Sequence, residues 1–158
     1  AIREEALNGY DAMRRTEGLK LRDDVLARIE EIGRLTGIVE ERAPQTVAEY
    51  RARLEQKLRE TLDGLPIDDA RVLTECAIFA DRIAVDEETV RLRSHLSQLK
   101  GMAEGESPIG RKMDFLIQEL NRESNTIGSK CQSADIARVV VDLKAEIEKI
   151  REQIQNVE

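Results

Sequence analysis

The segment that closes this chain constrains its fold more than any other feature. Ile136, Val140, Leu143, Ile147, Ile150, Ile154 and Val157 recur at alternating spacings of four and three without a break, which draws one apolar seam along an α-helix. A strand sends successive side chains to opposite faces and cannot hold such a seam on one side. The seam suits the core stripe of a helical bundle or a contact between subunits, because one narrow stripe serves both.

The same periodicity governs the residues upstream. Ile2, Ala6, Tyr10 and Met13 share a stripe, Gly18 is a weak point, and Val25, Ile29, Ile32, Leu35 and Val39 resume it. A residue before proline is pushed out of helical geometry, so this run is expected to end near Ala43 and Pro44. Val47, Tyr50, Leu54, Leu58 and Leu62 then mark a second helix, stopped by Asp63-Gly64-Leu65-Pro66. Two helices joined around Pro44 predict an antiparallel hairpin, an extended arm over residues 1–66. A carboxy-terminal helical domain follows over residues 67–158.

Within that domain Asp68 or Asp69 can cap a helix bearing Val72, Leu73, Cys76, Phe79, Ala80 and Ile83, and Asp86 can start the next, whose Leu92, Leu96 and Leu99 face the core. Gly101 to Pro108 reads as a loop. The helix after it takes Phe115, Leu116, Ile117, Leu120 and Ile127 as its packing stripe and ends near Thr126–Ser129. The fold class is therefore all-α: a long helical hairpin arm plus a bundle ending in the heptad-patterned helix. With 3% aromatic and 36% charged residues the chain has no sheet-forming population, and charges interrupt every apolar run before it could span a bilayer. No secretory signal is visible at the start, so the expected location is cytoplasmic. Cys76 and Cys131 lack metal-ligand or C-x-x-C spacing and read as free thiols.

The polar residues of Asp114–Lys130 exceed what a solvated helix face needs. Glu119 and Glu123 leave one helix face about one turn apart and can share a hard cation; Asp114, five positions before Glu119, is turned away from that pair. Arg111, Asp114, Gln118, Asn121 and Asn125 form a second polar stripe, in which the amides suggest buried hydrogen bonds or ligand contacts. The sole histidine, His95, shares a stripe with Glu88 and Arg91; Glu88 and His95 are about 10 Å apart along the axis and need another helix to reach one ion. A near-neutral pKa suits an imidazole to proton transfer. The net charge of -7 opposes binding a polyanion over the whole surface, so any nucleic-acid contact must be local or aided by a cation. No phosphate-binding glycine loop, dinucleotide fingerprint, zinc-protease helix or nucleophile elbow occurs.

The order GRKMDFLIQELNRESNTIGSK, followed by a heptad helix ending IEKIREQIQNVE, resembles the YicC/YloC family of bacterial endoribonucleases. The likeness extends to DEETVRLRSH and, more loosely, to EALNGYDAMRRTEGLKL, so it spans nearly the whole chain. The family pattern falls on Glu87, Glu88, Arg91 and His95, then on Gly110, Arg111, Asp114, Phe115, Gln118 and Glu119. It continues through Asn121, Arg122, Glu123, Asn125, Thr126, Ser129 and Lys130 to a tail match that includes Arg151, Gln155 and Glu158. Met113 and Cys131 stand where leucine and a small polar residue are expected.

This resemblance implies an RNA-cleaving, divalent-metal-dependent protein that assembles as a ring-like homo-oligomer, a hexamer when full-length. It also implies an amino-terminal domain ahead of the helices, so the chain reads as a fragment. The two polar stripes are then expected to face one another. Glu88, His95, Glu119 and Glu123 form the catalytic set, and Glu88, Asp114, Glu119 and Glu123 hold Mg²⁺ or Mn²⁺. Arg91, Arg111, Asn121, Arg122, Asn125 and Lys130 contact RNA. His95 as ligand or proton donor, and water or the RNA 2′-hydroxyl as nucleophile, stay open at this stage. Two other classes fit the same residues: a non-catalytic RNA adaptor and an oligomerisation module in RNA turnover.

Overall fold

The computed structural model describes residues 1–105 and 111–156. They form α1 (Ile2–Leu62), α2 (Asp69–Ile83), α3 (Asp86–Glu104), α4 (Arg111–Lys130) and α5 (Ala134–Gln155), with no strand among the described residues. The all-α expectation holds. Gly110, Val157 and Glu158, and the Glu106–Pro108 part of the expected loop, lie outside the described residues; Gly101–Glu104 continues α3 as helix.

The seam on α5 is the core stripe of a bundle inside this one chain. Leu143 and Ile150 are fully buried, and Ile136, Val140, Ile147 and Ile154 nearly so. They meet Val25, Ile29, Ile32, Leu35 and Val39 of α1 and the apolar stripes of α3 and α4 in a single cluster. α1 packs on α3 and α5, and α4 closes the square by packing on the same two helices. Each helix contributes one stripe to a shared interior, which is how amphipathic helices bury apolar area. The reading of the α5 seam as a subunit contact gives way, because its side chains are already covered. Cys76 and Cys131 are free, and no helix among the described residues is long and apolar enough to cross a membrane.

A hairpin is present, but it pairs α1 with α2, and the one expected within residues 1–66, turning at Pro44, does not form. α1 runs through Pro44 as a single helix of 61 residues, about 90 Å long, and reverses only after Leu62. There Asp63 (φ 45°) and Gly64 (φ 88°) adopt the left-handed conformation, and Asp68 caps α2 by accepting a hydrogen bond from the Arg71 amide. α2 then returns along the second half of α1, where Tyr50 and Phe79 stack at 3.9 Å between centroids. Pro44 cannot donate to the Glu40 carbonyl, and that is one lost bond in a long helix. Its neighbours Glu41, Arg42, Ala43 and Gln45 are good helix formers and offer no residue suited to a turn. Arg42 further spans the proline, pairing with Glu49 at 2.9 Å and Gln45 at 2.5 Å while reaching Asp135 of α5 at 3.0 Å. The apolar phase also continues unbroken through Val39, Thr46 and Tyr50, whereas a true turn would reset it.

Gly18 does not interrupt α1 either. The first twenty residues nevertheless stand clear of the bundle: Ile2, Tyr10 and Met13, assigned above to one stripe, are exposed at 86%, 61% and 65%.

A continuous helix makes Pro44 a burden. Pro44→Ala restores an amide donor and removes a steric conflict, so it is expected to raise stability by about 2 kcal/mol, read as a higher urea midpoint with unchanged slope. A turn at this position would make the same change neutral or destabilising.

Candidate metal centre between two helices

α3 and α4 pack antiparallel, and three side-chain pairs along their seam fix how they are aligned. Residue numbers rise on one helix as they fall on the other: Glu88 meets Lys130 at 2.8 Å, Arg91 meets Glu123 at 3.8 Å, and His95 meets Glu119 at 3.9 Å. Leu92, Leu96 and Leu99 on α3 and Met113, Leu116, Leu120 and Ile127 on α4 are buried. These polar groups therefore sit at the rim of an apolar contact, where low water access strengthens their interactions.

His95, Glu119 and Glu123 converge at the middle of the seam. Each offers one ligand atom, and those atoms lie within 4.8 Å of one another, close enough for one ion to reach all three after small side-chain adjustments. Glu123 is buried, and both nitrogens of His95 are inaccessible and lack a hydrogen-bond partner. A buried ring nitrogen without a partner is costly and marks a site where another group is accommodated. Two arginines attend the carboxylates loosely. Arg122 approaches Glu119 at 3.8 Å, and Arg91 approaches Glu123 at 3.8 Å while donating to Glu87 at 3.2 Å. The two 3.8 Å contacts are too long for hydrogen bonds and neutralise charge without locking geometry.

The other expected site residues separate into two groups. Glu88 does not join the cluster: its buried carboxylate takes a hydrogen bond from Lys130, which also donates to the Ala84 carbonyl at 3.1 Å. Lys130 thus ties the end of α4 to the start of α3. Asp114 also lies outside the three-residue group. At 100° per residue, Asp114, Gln118, Asn121 and Asn125 face away from α3, on the opposite flank of α4, and Arg111 stands at the edge of that flank, one turn before Phe115. Gln118 and Asn125 are exposed and Asp114 and Asn121 half-buried; the amides make no side-chain hydrogen bond among the described residues, so the expectation of buried hydrogen bonds there is not met.

Phe115, assigned above to the packing stripe of α4, is 59% exposed, whereas Leu116 and Ile117 beside it are buried. Its position could have been read from spacing, since the stripe Met113, Leu116, Leu120, Ile127 turns through a face that residue 115 does not share. The pairing of Arg91 with Glu123 was not legible, because it depends on the alignment of two helices.

The family described as "Endoribonuclease YicC-like, C-terminal" matches residues 39–158. The chain is 45% identical over 156 residues to a protein of Clostridioides difficile named "Probable endoribonuclease YicC", and 41% identical over 155 residues to one of the same name in Haemophilus influenzae. Each match covers 98% of this chain and 53% of the relative. The chain thus spans about half the length of the curated relatives it matches.

The Glu88 carboxyl is held below the ordinary 4.5. Burial pushes it up, but the hydrogen bond from Lys130, the bond from its own backbone amide and the charges of Lys130 and Arg91 outweigh that push. A carboxylate depressed in the folded state contributes stability that is present above its unfolded value and lost as pH falls through its folded one. Thermal melts are therefore expected to lose stability below about pH 4.5, and Glu88→Gln is expected to flatten that loss. At neutral pH, Lys130→Met leaves Glu88 buried without its cation. This is expected to cost about 2–3 kcal/mol, less than for a fully buried pair because Lys130 is partly solvated. A Lys130→Met protein as stable as the parent at pH 7 would contradict this assignment.

Proposed function

The chain belongs to the endoribonuclease YicC-like family, and from that premise we propose that the α3–α4 seam is the divalent-cation site of an RNA-cleaving enzyme. The observation that carries the reading is the convergence of His95, Glu119 and Glu123 from two helices onto a point within 4.8 Å, with His95 lacking any other partner.

The donor set fits the cation class. Two carboxylate oxygens suit Mg²⁺ or Mn²⁺, and the imidazole nitrogen favours Mn²⁺ of the two. When bound, such a cation polarises the phosphodiester and offsets repulsion between RNA and an acidic protein. Glu119 and Glu123 would hold it from α4, and His95 would hold it from α3. Arg91 and Arg122, each 3.8 Å from a carboxylate of the site, would contact the phosphate oxygens with the planar two-point geometry that guanidinium offers. Arg111, Asn121 and Asn125 follow the strand along the outer flank of α4. Lys130 and Glu88 support this arrangement by aligning the two helices.

Assembly into a homo-oligomer, a hexamer in the full-length protein, belongs to the same reading. With the α5 seam buried, contacts between copies fall elsewhere, and the exposed stripe at the start of α1 is apolar surface available for them.

The test is RNA cleavage by the full-length protein across a Mn²⁺ titration. Glu119→Gln, Glu123→Gln and His95→Ala are each expected to lower the cleavage rate by about a hundredfold or more and to weaken Mn²⁺ binding measured by electron paramagnetic resonance. Asp114→Asn is expected to change neither by more than a few-fold. Full activity with unaltered metal dependence in the Glu119→Gln, Glu123→Gln double variant would overturn the assignment, and RNA binding that survives chelation without any cleavage would make the protein an adaptor.

A further inference from the structure

Single apolar side chains on a surface are ordinary, so the exposure of Phe115 means nothing by itself. Its position gives it meaning. Phe115 precedes Glu119 by one helical turn on the same side of α4, roughly 6 Å away. Side chains lean toward the start of their helix, which carries the Glu119 carboxylate back over the turn that bears Phe115. Arg111 lies one turn before Phe115 and Arg122 two turns after it, both exposed. Along this face the helix offers a cation, a flat apolar ring, a cation-binding carboxylate and a second cation.

The other aromatic residues are committed or distant. Tyr50 and Phe79 stack on each other, and Tyr10 stands on the free start of α1. Phe115 is therefore the aromatic side chain at the α3–α4 site. A base stands several ångströms from its own phosphate, a reach comparable to the roughly 6 Å between Phe115 and Glu119 along the helix, so a nucleotide whose phosphate meets the arginines can lay its base on the ring. Every base has a π-face, so a ring at this place accepts any of them, and only an unpaired base can leave its own stack to use it.

We propose that Phe115 is a base-stacking platform that seats an unpaired nucleotide beside the scissile phosphate. The proposal rests on the function proposed above for the same site. It makes Phe115 a substrate-binding residue and assigns it no part in proton transfer or cation binding.

The experiment uses the full-length protein and two probes, a single-stranded oligoribonucleotide carrying 2-aminopurine and the matching perfect duplex, with Mn²⁺ binding followed separately. Phe115→Ala is expected to weaken single-strand binding by about ten- to a hundredfold, to abolish 2-aminopurine quenching, and to leave duplex binding, Mn²⁺ binding and helical content unchanged. Phe115→Trp keeps a π-face and is expected to retain binding, whereas Phe115→Leu keeps apolar bulk and is expected to fail as alanine does. Equal weakening for both probes, or full binding by the leucine variant, would overturn the platform. Phe115-dependent single-strand binding by a parent protein that takes no Mn²⁺ and cuts no RNA would sustain the platform and overturn the nuclease reading alone.

Discussion

The alignment of α3 against α4 is the constraint on which everything else here depends. It is set by the apolar contact between the helices and pinned at one end by Lys130, which reaches both Glu88 and the Ala84 carbonyl. Because the helices are antiparallel, this one anchor determines which residues meet further along. A displacement by one turn would bring His95 opposite Glu123 or Phe115 instead of Glu119, and would part Arg91 from Glu123. Glu88 thus acts at a distance from the convergent carboxylates, by holding the helices that carry them.

Most of the fold was legible because it follows from stripe periodicity. The α5 seam, the Val25–Val39 stripe and the Asp63–Pro66 stop all appear in the structure as the spacing implies. Pro44 departs from the local rule for the residue before proline because its surroundings outweigh that rule. One missing hydrogen bond does not break a helix whose apolar phase and charge pairs continue on both sides. The shift of the hairpin turn to Asp63–Gly64 follows the same physics, since those are the residues that adopt positive φ.

The candidate site was legible in composition and less so in geometry. Glu119 and Glu123 could be paired from spacing alone, as could the separation of Asp114 from them. That His95, and not Glu88, closes the group required the helix alignment, which no single-helix pattern contains. Phe115 shows the complementary limit: apolar character alone points to the core, and its phase on α4 keeps it out. The chain carries a net charge of -7, so long-range attraction gives it no hold on RNA. Under the function proposed above, the grip on RNA comes from a few cations placed beside the Glu119 and Glu123 carboxylates.

The most direct measurement is a pair of anomalous difference maps from a crystal of the full-length protein grown with Mn²⁺, collected just above and just below the manganese absorption edge. The account predicts a peak bounded by His95, Glu119 and Glu123, at about 2.0–2.4 Å from each ligand atom. A peak held instead by Glu88 or Asp114, or an empty α3–α4 seam in protein that cleaves RNA only when Mn²⁺ is supplied, would contradict it.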